Sequence, residues 1–339
     1  MQDFTALRIH AADPKGPVEP RLVQLTLDDL SPGEVVIRSA WSCVNYKDAL
    51  AVTGAGRIMR RFPLVAGIDV AGTVVESEDA QFRPGDEVLV TSNGLGETRD
   101  GGYAEYARLP AAAVIPLPAG LSARAAMTLG TAGFTAALAV HRMEANGQTP
   151  DLGPIAVTGA TGGVGSVAVD LLSARGYEVH AVSSKPAAGD YLRGLGAAEV
   201  LTPGDLQCGS RPLETAIWGG AVDSLGGELL SGLTRSTRYG GNVASIGLAA
   251  SHELHTSVMP FILRGVNLLG INAVDTPREL RLAVWQRLMT DLRPRHLDAI
   301  ATAELGLNEL IAHMQDWIDG RVTGRTLVRL QGAAGSAAG

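Results

Sequence analysis

The chain has 339 residues and a mass of 35.2 kDa, 46% apolar and 19% charged, which is globular composition with length for about two domains. With 28 basic against 35 acidic residues the net charge is −7, which argues against nucleic acid or an anionic membrane as main partner, since both require a cationic surface. Two cysteines, Cys43 and Cys208, are too few for a disulfide framework and suit a reducing, cytoplasmic setting.

The first residues, Met1-Gln2-Asp3-Phe4-Thr5, lack the charged-then-apolar pattern of a signal peptide. Short strands are predicted at Ala6–His10, Glu34–Ser39, Val70–Val75 and Glu87–Val90, punctuated by Ser31-Pro32-Gly33 and Arg83-Pro84-Gly85-Asp86; this spacing suggests a small β-barrel or sandwich. The uncharged stretch Ala125–Val140 is too short and too interrupted by glycine to span a membrane and reads as a buried helix. Beyond it the pattern alternates. Strands at Ile155–Thr158, Glu178–Ser183, Glu199–Leu201, Thr215–Trp218, Asn242–Ile246 and Asn267–Ile271 are separated by helical stretches, one of them stopped by Gly176. That order marks a parallel sheet with helices on both faces. Thr276-Pro277-Arg278-Glu279 opens a helix, Leu310–Ile318 reads as a second amphipathic helix stopped by Gly320, and Thr326–Leu330 is a last strand. The Gly/Ala/Ser tail from Gln331 to Gly339 is expected to be disordered.

The most informative segment is Gly159-Ala160-Thr161-Gly162-Gly163-Val164-Gly165, between the strand at 155–158 and a helix. An ordinary tight turn uses glycines too, but strand, glycine loop, helix and second strand together form a dinucleotide-binding unit, in which a pyrophosphate lies against backbone N–H groups at the helix N-terminus. At the end of the second strand an NAD site would place Asp or Glu for the ribose hydroxyls. Ser183-Ser184-Lys185 stand there instead, with Arg193 on the following helix. Two hydroxyls and a cation suit a 2′-phosphate and hence NADP(H), although a solvated loop lysine would look the same. No metal is expected: Gly67-Ile68-Asp69 has no histidine to join Cys43, and His252 and His255 sit three apart without a cysteine. No Gly-x-Ser-x-Gly elbow is present.

The segments Asn45-Tyr46-Lys47-Asp48-Ala49-Leu50, Gly67-Ile68-Asp69-Val70-Ala71-Gly72, Gly130-Thr131-Ala132-Gly133-Phe134-Thr135-Ala136, Val258-Met259-Pro260-Phe261-Ile262-Leu263-Arg264 and Gly324-Arg325-Thr326-Leu327-Val328, with the glycine loop, carry a family resemblance. From about Ala6 to Leu330 the chain resembles the medium-chain dehydrogenase/reductase superfamily, in its zinc-free quinone-oxidoreductase-like branch, and within it the NADPH-dependent acryloyl-CoA reductase family. The resemblance implies an α/β architecture. It sets a GroES-like β-rich domain over about 1–126, a Rossmann domain over about 127–274, and 275–330 returning to pack mainly on the first, with the active site in the cleft between them. It implies that Tyr46 faces the nicotinamide, that Thr161, Gly162, Gly163 and Val164 cradle the pyrophosphate, and that Ser183, Ser184 and Lys185 hold the 2′-phosphate. The family usually has arginine where Lys185 stands. Arg193, Leu248, Ile271 and Arg325 match positions lining the same groove. The family also tends to carry a tryptophan just before the Gly94-Leu95-Gly96-Glu97 loop, where Ser92 and Asn93 stand.

The function so implied is hydride transfer from NADPH to the β-carbon of a short α,β-unsaturated acyl-CoA, acryloyl-CoA to propionyl-CoA. Asn45 and the Tyr46 hydroxyl are the nearest donors for the developing thioester oxyanion, with Tyr46 a proton donor or a packing residue. Lys47 and Asp48 read as a solvated or structural pair. Arg57, Arg60 and Arg61 either meet coenzyme A phosphates or form a solvated basic loop. A quinone or enone reductase without CoA is the alternative chemistry, and an NADPH-binding structural or sensor protein the alternative of another class. Leu268-Leu269 is open to pairing across a homodimer axis or to being a covered edge.

Overall fold

The computed structural model describes residues 3–13, 16–206 and 208–330; the tail from Gln331 to Gly339 lies outside the described residues. Two compact units emerge. One takes the chain through Thr131 and adds Val274–Leu282 and residues from Ala301 onward, and the other comprises Ala132–Ala273 and Ala283–Ile300.

The first unit is built on a seven-stranded mixed sheet. Its order is Ala301–Gly306, Arg325–Arg329, Val35–Cys43, Asp69–Ser77, Glu87–Thr91 and Ile115–Pro116, with Tyr106–Leu109 also pairing Val35–Cys43. A three-stranded sheet of Glu19–Leu25, Phe4–His10 and Leu64–Val65 completes it. Alternating apolar residues of these strands, among them Leu7, Ile9, Ile37, Val70, Val88 and Leu109, form its main core. The Arg83–Asp86 turn forms as its residues predict: Gly85 has φ +98°, and the Asp86 carboxylate accepts the Arg83 N–H at 2.8 Å.

The second unit is a six-stranded parallel sheet in the order Glu199–Leu201, Val179–Val182, Ile155–Thr158, Trp218–Asp223, Thr237–Ser245, Asn267–Gly270. The first of these strands in the chain, Ile155–Thr158, lies inside the sheet, so the connections run outward to either side. The C-terminal ends of Ile155–Thr158 and Trp218–Asp223 therefore flank the point where the winding reverses, the usual ligand-binding position in such sheets. The strand expected at Thr215–Trp218 begins instead at Trp218 and runs through Gly219 and Gly220. Glycine propensity argues against a strand there, but a Cβ on Gly219 would lie 2.5 Å from Gly153 O, and one on Gly220 2.7 Å from Asn242 O. Close packing of neighbouring backbone requires both.

The uncharged stretch is a helix, Ala123–Ala145, broken at Gly130 (φ 52°, ψ −155°). It is long and apolar enough to cross a membrane by length and composition, yet its most apolar stretch is 78% buried in the protein, the state of a core helix. The Gly163–Ala174 helix is followed by Gly176 at φ +84°, whose N–H donates to Ser173 O at 3.0 Å, as a left-handed glycine terminator should.

Two expectations for the C-terminal stretch are corrected. Residues 283–300 belong to the second unit rather than returning to the first. There the buried Trp285 stacks on Phe134 (centroids 6.3 Å apart), and the Asp170 carboxylate accepts the backbone N–H groups of Arg295 and His296 at 2.9 and 3.0 Å. The helix expected over Leu310–Ile318 is two short ones, Leu310–His313 and Gln315–Ile318, because the ladder tightens where the Trp317 N–H donates to Met314 O at 3.3 Å.

Trp285 supplies the test of this second core. Trp285→Ala removes a fully buried ring and is expected to lower unfolding free energy in urea by about 3–5 kcal/mol. Trp285→Phe should cost much less, because the buried indole N–H has no hydrogen-bond partner to lose.

Candidate active site

In the first unit the candidate residues gather around one buried carboxylate. Asp69 opens the Asp69–Ser77 strand and is 0% exposed. Its Oδ2 accepts the Asn45 amide at 2.8 Å, the Thr131 backbone N–H at 2.9 Å and the Cys43 thiol at 3.1 Å; its Oδ1 accepts the Thr131 hydroxyl at 2.5 Å. The Ser92 hydroxyl lies 2.9 Å from that of Thr131. With the Thr131 proton directed at Asp69, Ser92 is the donor of the pair. Ser92 and Asn93, at φ 58° and 54°, are the only non-glycine residues with positive φ among those described, a conformation that costs energy and is held by its surroundings.

Arg325 closes the cluster. The guanidinium donates to Thr128 O at 3.1 Å, Val44 O at 3.0 Å, Asn45 Oδ1 at 3.1 Å and Cys43 Sγ at 2.8 Å. The break at Gly130 makes room for all of this. A Cβ there would lie 2.6 Å from Cys43 Sγ, 2.7 Å from Asp69 Oδ2 and 2.8 Å from the Arg325 guanidinium. Cys43 is buried and its thiol pKa is pushed well up by burial, so it is an interior hydrogen-bonding group rather than a nucleophile.

Asn45 is the N-cap of the Tyr46–Thr53 helix. Its backbone N–H donates to Asp48 Oδ2 at 2.9 Å, the reach-back half of a capping box. Its side-chain amide donates to Asp48 Oδ2 at 3.1 Å as well as to Asp69, and its oxygen accepts from Arg325. Every polar position of Asn45 is engaged, which corrects its expected part as a donor to substrate. It sets the start of the helix, whose first residue is Tyr46, 42% exposed. Lys47 and Asp48 each have a structural contact of their own. Lys47 Nζ meets Glu97 Oε1 at 2.7 Å, while Asp48 is buried and its second oxygen accepts the Ile68 N–H at 2.9 Å. Burial, and then the charge of Asp69, push the Asp48 pKa up to about 7.

The three arginines of the 57–61 loop differ in kind. Arg61 donates to Ser31 Oγ at 2.6 Å and Thr98 O at 3.1 Å and lies 3.9 Å from Asp100. Arg57 and Arg60 are exposed, and neither side chain has a polar partner among the described residues.

In the second unit, Gly159 (φ +58°) turns the chain, Gly162 is the N-cap and Gly163–Ala174 is the helix. A Cβ on Gly165 would lie 2.3 Å from Gly159 O and 2.6 Å from Ala160 Cα, so helix and strand approach only because it is glycine. Thr161 is buried while Gly162, Gly163 and Val164 are half-buried at the helix start, where N–H groups lack intrahelical acceptors. The C-terminal ends of the flanking strands are locked by buried Asp223, which accepts the Thr158 hydroxyl at 2.6 Å and the Gly226 N–H at 2.7 Å. Ser183 is buried and its hydroxyl accepts the Lys185 N–H at 3.1 Å; Ser184 is exposed. Burial lowers the Lys185 pKa, and Arg193, on the Gly189–Gly194 helix, lies 3.6 Å from Asp190. Ile271 is buried and Leu248 is exposed. Arg325, matched by resemblance to this groove, has instead the first-unit partners given above.

Comparison with known proteins gives the family of the two units. Residues 31–119 match the alcohol dehydrogenase GroES-like domain and residues 163–289 the family described as zinc-binding dehydrogenase. Acrylyl-CoA reductase AcuI of Ruegeria pomeroyi is 44% identical over 96% of this chain and 98% of its own. The chain belongs to the medium-chain dehydrogenase/reductase superfamily, in its quinone-oxidoreductase-like branch. YhfP of Bacillus subtilis, named provisionally as a quinone oxidoreductase, is 48% identical over 90% of this chain and 93% of its own. Its structure with NAD bound superposes with a TM-score of 0.94 over 97% of this chain and all of that one. The yhdH oxidoreductase of Salmonella enterica, solved with NADP, is 45% identical with a TM-score of 0.92, covering 96% and 100%.

Among the described residues of this reductase-branch chain, no group of three or more His, Cys, Asp or Glu is arranged to hold a metal. His255 pairs with Glu228 at 2.7 Å and His252 with Glu253 at 3.3 Å. Asp69, Thr131 and Asp223 escaped sequence reasoning as site residues, although Asp69 and Thr131 lie within the segments that carry the family resemblance.

Asp48 provides a pH test. Its carboxyl holds a proton more tightly folded than unfolded, so its contribution to stability is greatest below the unfolded pKa near 4 and is lost as pH rises to about 7. The stability of the wild type relative to Asp48→Asn should therefore fall by on the order of 2–3 kcal/mol between pH 5 and pH 8 in urea titrations. A pH-independent difference would show that Asp48 does not titrate in this window.

Proposed function

We propose that the chain is an NADPH-dependent reductase of the carbon–carbon double bond of a short α,β-unsaturated acyl-CoA, acryloyl-CoA above all, acting on a small molecule in the cytoplasm. The observation that carries this reading is the 44% identity, over 96% of this chain, to the acrylyl-CoA reductase of Ruegeria pomeroyi. The second unit fits the cofactor: Gly165 permits the close helix–strand approach that exposes the helix N-terminus to a pyrophosphate. Ser183, Ser184 and Lys185 would hold the 2′-phosphate, and the partly desolvated Lys185 ammonium gains from an anionic partner.

NADPH, when bound, supplies the hydride that adds to the substrate's β-carbon. The electron pair of the double bond moves to the α-carbon and thioester oxygen, and a proton must reach the α-carbon. The Tyr46 hydroxyl is the proton-bearing group proposed for that step. The Asn45–Asp48–Asp69 cluster fixes the helix end from which Tyr46 projects, so this donor need not be reorganised during reaction.

The first test is NADPH oxidation by purified protein with acryloyl-CoA, crotonyl-CoA and a simple quinone, each repeated with NADH. Acryloyl-CoA with NADPH should give the highest kcat/KM. Preference for the quinone would instead support the enone or quinone reductase reading that the name of YhfP favours. Tyr46→Phe is expected to lower kcat by about 10²-fold or more with NADPH affinity retained; a loss of only a few-fold would confine Tyr46 to packing.

A further inference from the structure

The C-terminal end of the Tyr46–Thr53 helix meets a cavity of about 210 Å³, lined by Val18, Ala51, Gly54, Met59 and Phe62 with Arg57. We infer that this cavity, with Arg57 in its lining and Arg60 further along the same loop, is the subsite for the nucleotide end of coenzyme A, an extension of the acyl-CoA reading above. The lining of the cavity includes an aromatic side chain, Phe62, suited to a purine ring, and the guanidinium-bearing Arg57. Arg57 and Arg60 are exposed guanidiniums without polar partners among the described residues, which is what a bisphosphate and a 3′-phosphate require.

Nearby carboxylates leave those charges uncancelled. The 56–62 loop is tied to the 94–100 loop, where the Arg60 N–H donates to Glu97 O at 2.8 Å. In that second loop Glu97 is paired with Lys47, and Asp100 accepts the Ser31 hydroxyl at 2.6 Å and the Val65 N–H at 2.8 Å. Arg61, bound to Ser31 and Thr98, is a structural member of the loop and lies outside the subsite. The helix sets the distance. Tyr46 and Gly54 stand eight residues apart, about 12 Å at 1.5 Å per residue, a span that an extended pantetheine arm covers. A thioester beside Tyr46 whose arm lies along this helix would bring its nucleotide to the cavity and its phosphates to the loop that carries Arg57 and Arg60.

The test compares acryloyl-CoA with acryloyl-pantetheine, which lacks the nucleotide, in wild type and in Arg57→Glu/Arg60→Glu. The expected result is a rise of about tenfold or more in KM for acryloyl-CoA in the variant, with kcat unchanged and KM for acryloyl-pantetheine unaffected. Equal effects on the two esters, or none on either, would overturn the subsite and leave the reductase reading standing. A wild type that reduces neither ester would overturn the reductase reading instead. Calorimetry with adenosine 3′,5′-bisphosphate then decides the subsite by itself: binding weakened about tenfold in the variant supports it, and no binding to the wild type overturns it.

Discussion

A single buried carboxylate organises the first unit. Asp69 receives four hydrogen bonds from three residues, and those residues begin or end separate segments: Cys43 closes a strand, Asn45 caps a helix and Thr131 follows a helix break. An ion removed from water is tolerated only when paired and fully hydrogen-bonded. Arg325 supplies the opposite charge of the cluster. Arg281 is a second buried cation of the same unit; burial pulls its pKa down to about 10 while Asp69 acts in the opposite sense. The network is therefore obligatory. Gly130 follows from it, because a side chain there would occupy the volume where thiol, carboxylate and guanidinium meet. The position of Tyr46 follows too, through the cap of its helix.

The second unit solves a related problem with less charge. Asp223 is also buried and its pKa is raised by desolvation, with the hydrogen bonds from Thr158 and Gly226 opposing that shift. Those bonds fasten the strand ends on either side of the point where the winding reverses. The glycine loop leaves the same strand end, so its backbone departs from a fixed base. Pre-set N–H groups bind an anion without first paying to be ordered. In both units, then, a carboxylate buried at a strand terminus holds the frame from which the exposed, chemistry-bearing groups project.

The parts legible in the sequence were those governed by local rules. Ile155–Thr158, the glycine loop and the helix that follows are read from apolar runs and from glycine's freedom at φ +58° and +84°. The Arg83–Asp86 turn is likewise self-contained. The Trp218–Asp223 strand was misplaced because its two glycines are there for neighbours far away in the chain, Gly153 and Asn242, which no local pattern reveals. Asp69 and Asp48 look like ordinary surface carboxylates until the fold brings Thr131 to one and the Ile68 N–H to the other. The separate partners of Lys47 and Asp48 were hidden for the same reason: adjacent residues on a helix face different surroundings, and Lys47 meets Glu97 while Asp48 meets the Ile68 N–H.

Resemblance and residue type rank polar groups poorly, because they do not show whether donors are already engaged. Asn45, Arg61 and Arg325 all carried the chemistry expected of a binding residue. Asn45 has two amide hydrogens, and Asp48 and Asp69 take both; Arg325 directs its guanidinium to three oxygens and a sulfur inside the first unit. Such groups hold the frame, since turning one toward a ligand would leave buried acceptors unpaired. Tyr46, Arg57 and Arg60 are the reverse case. They are exposed, and among the described residues no polar partner competes for the Arg57 and Arg60 side chains. Engaged donors thus mark the residues that build the site and free ones those left to meet a substrate, Tyr46 at the start of one short helix and Arg57 and Arg60 in the loop that follows it.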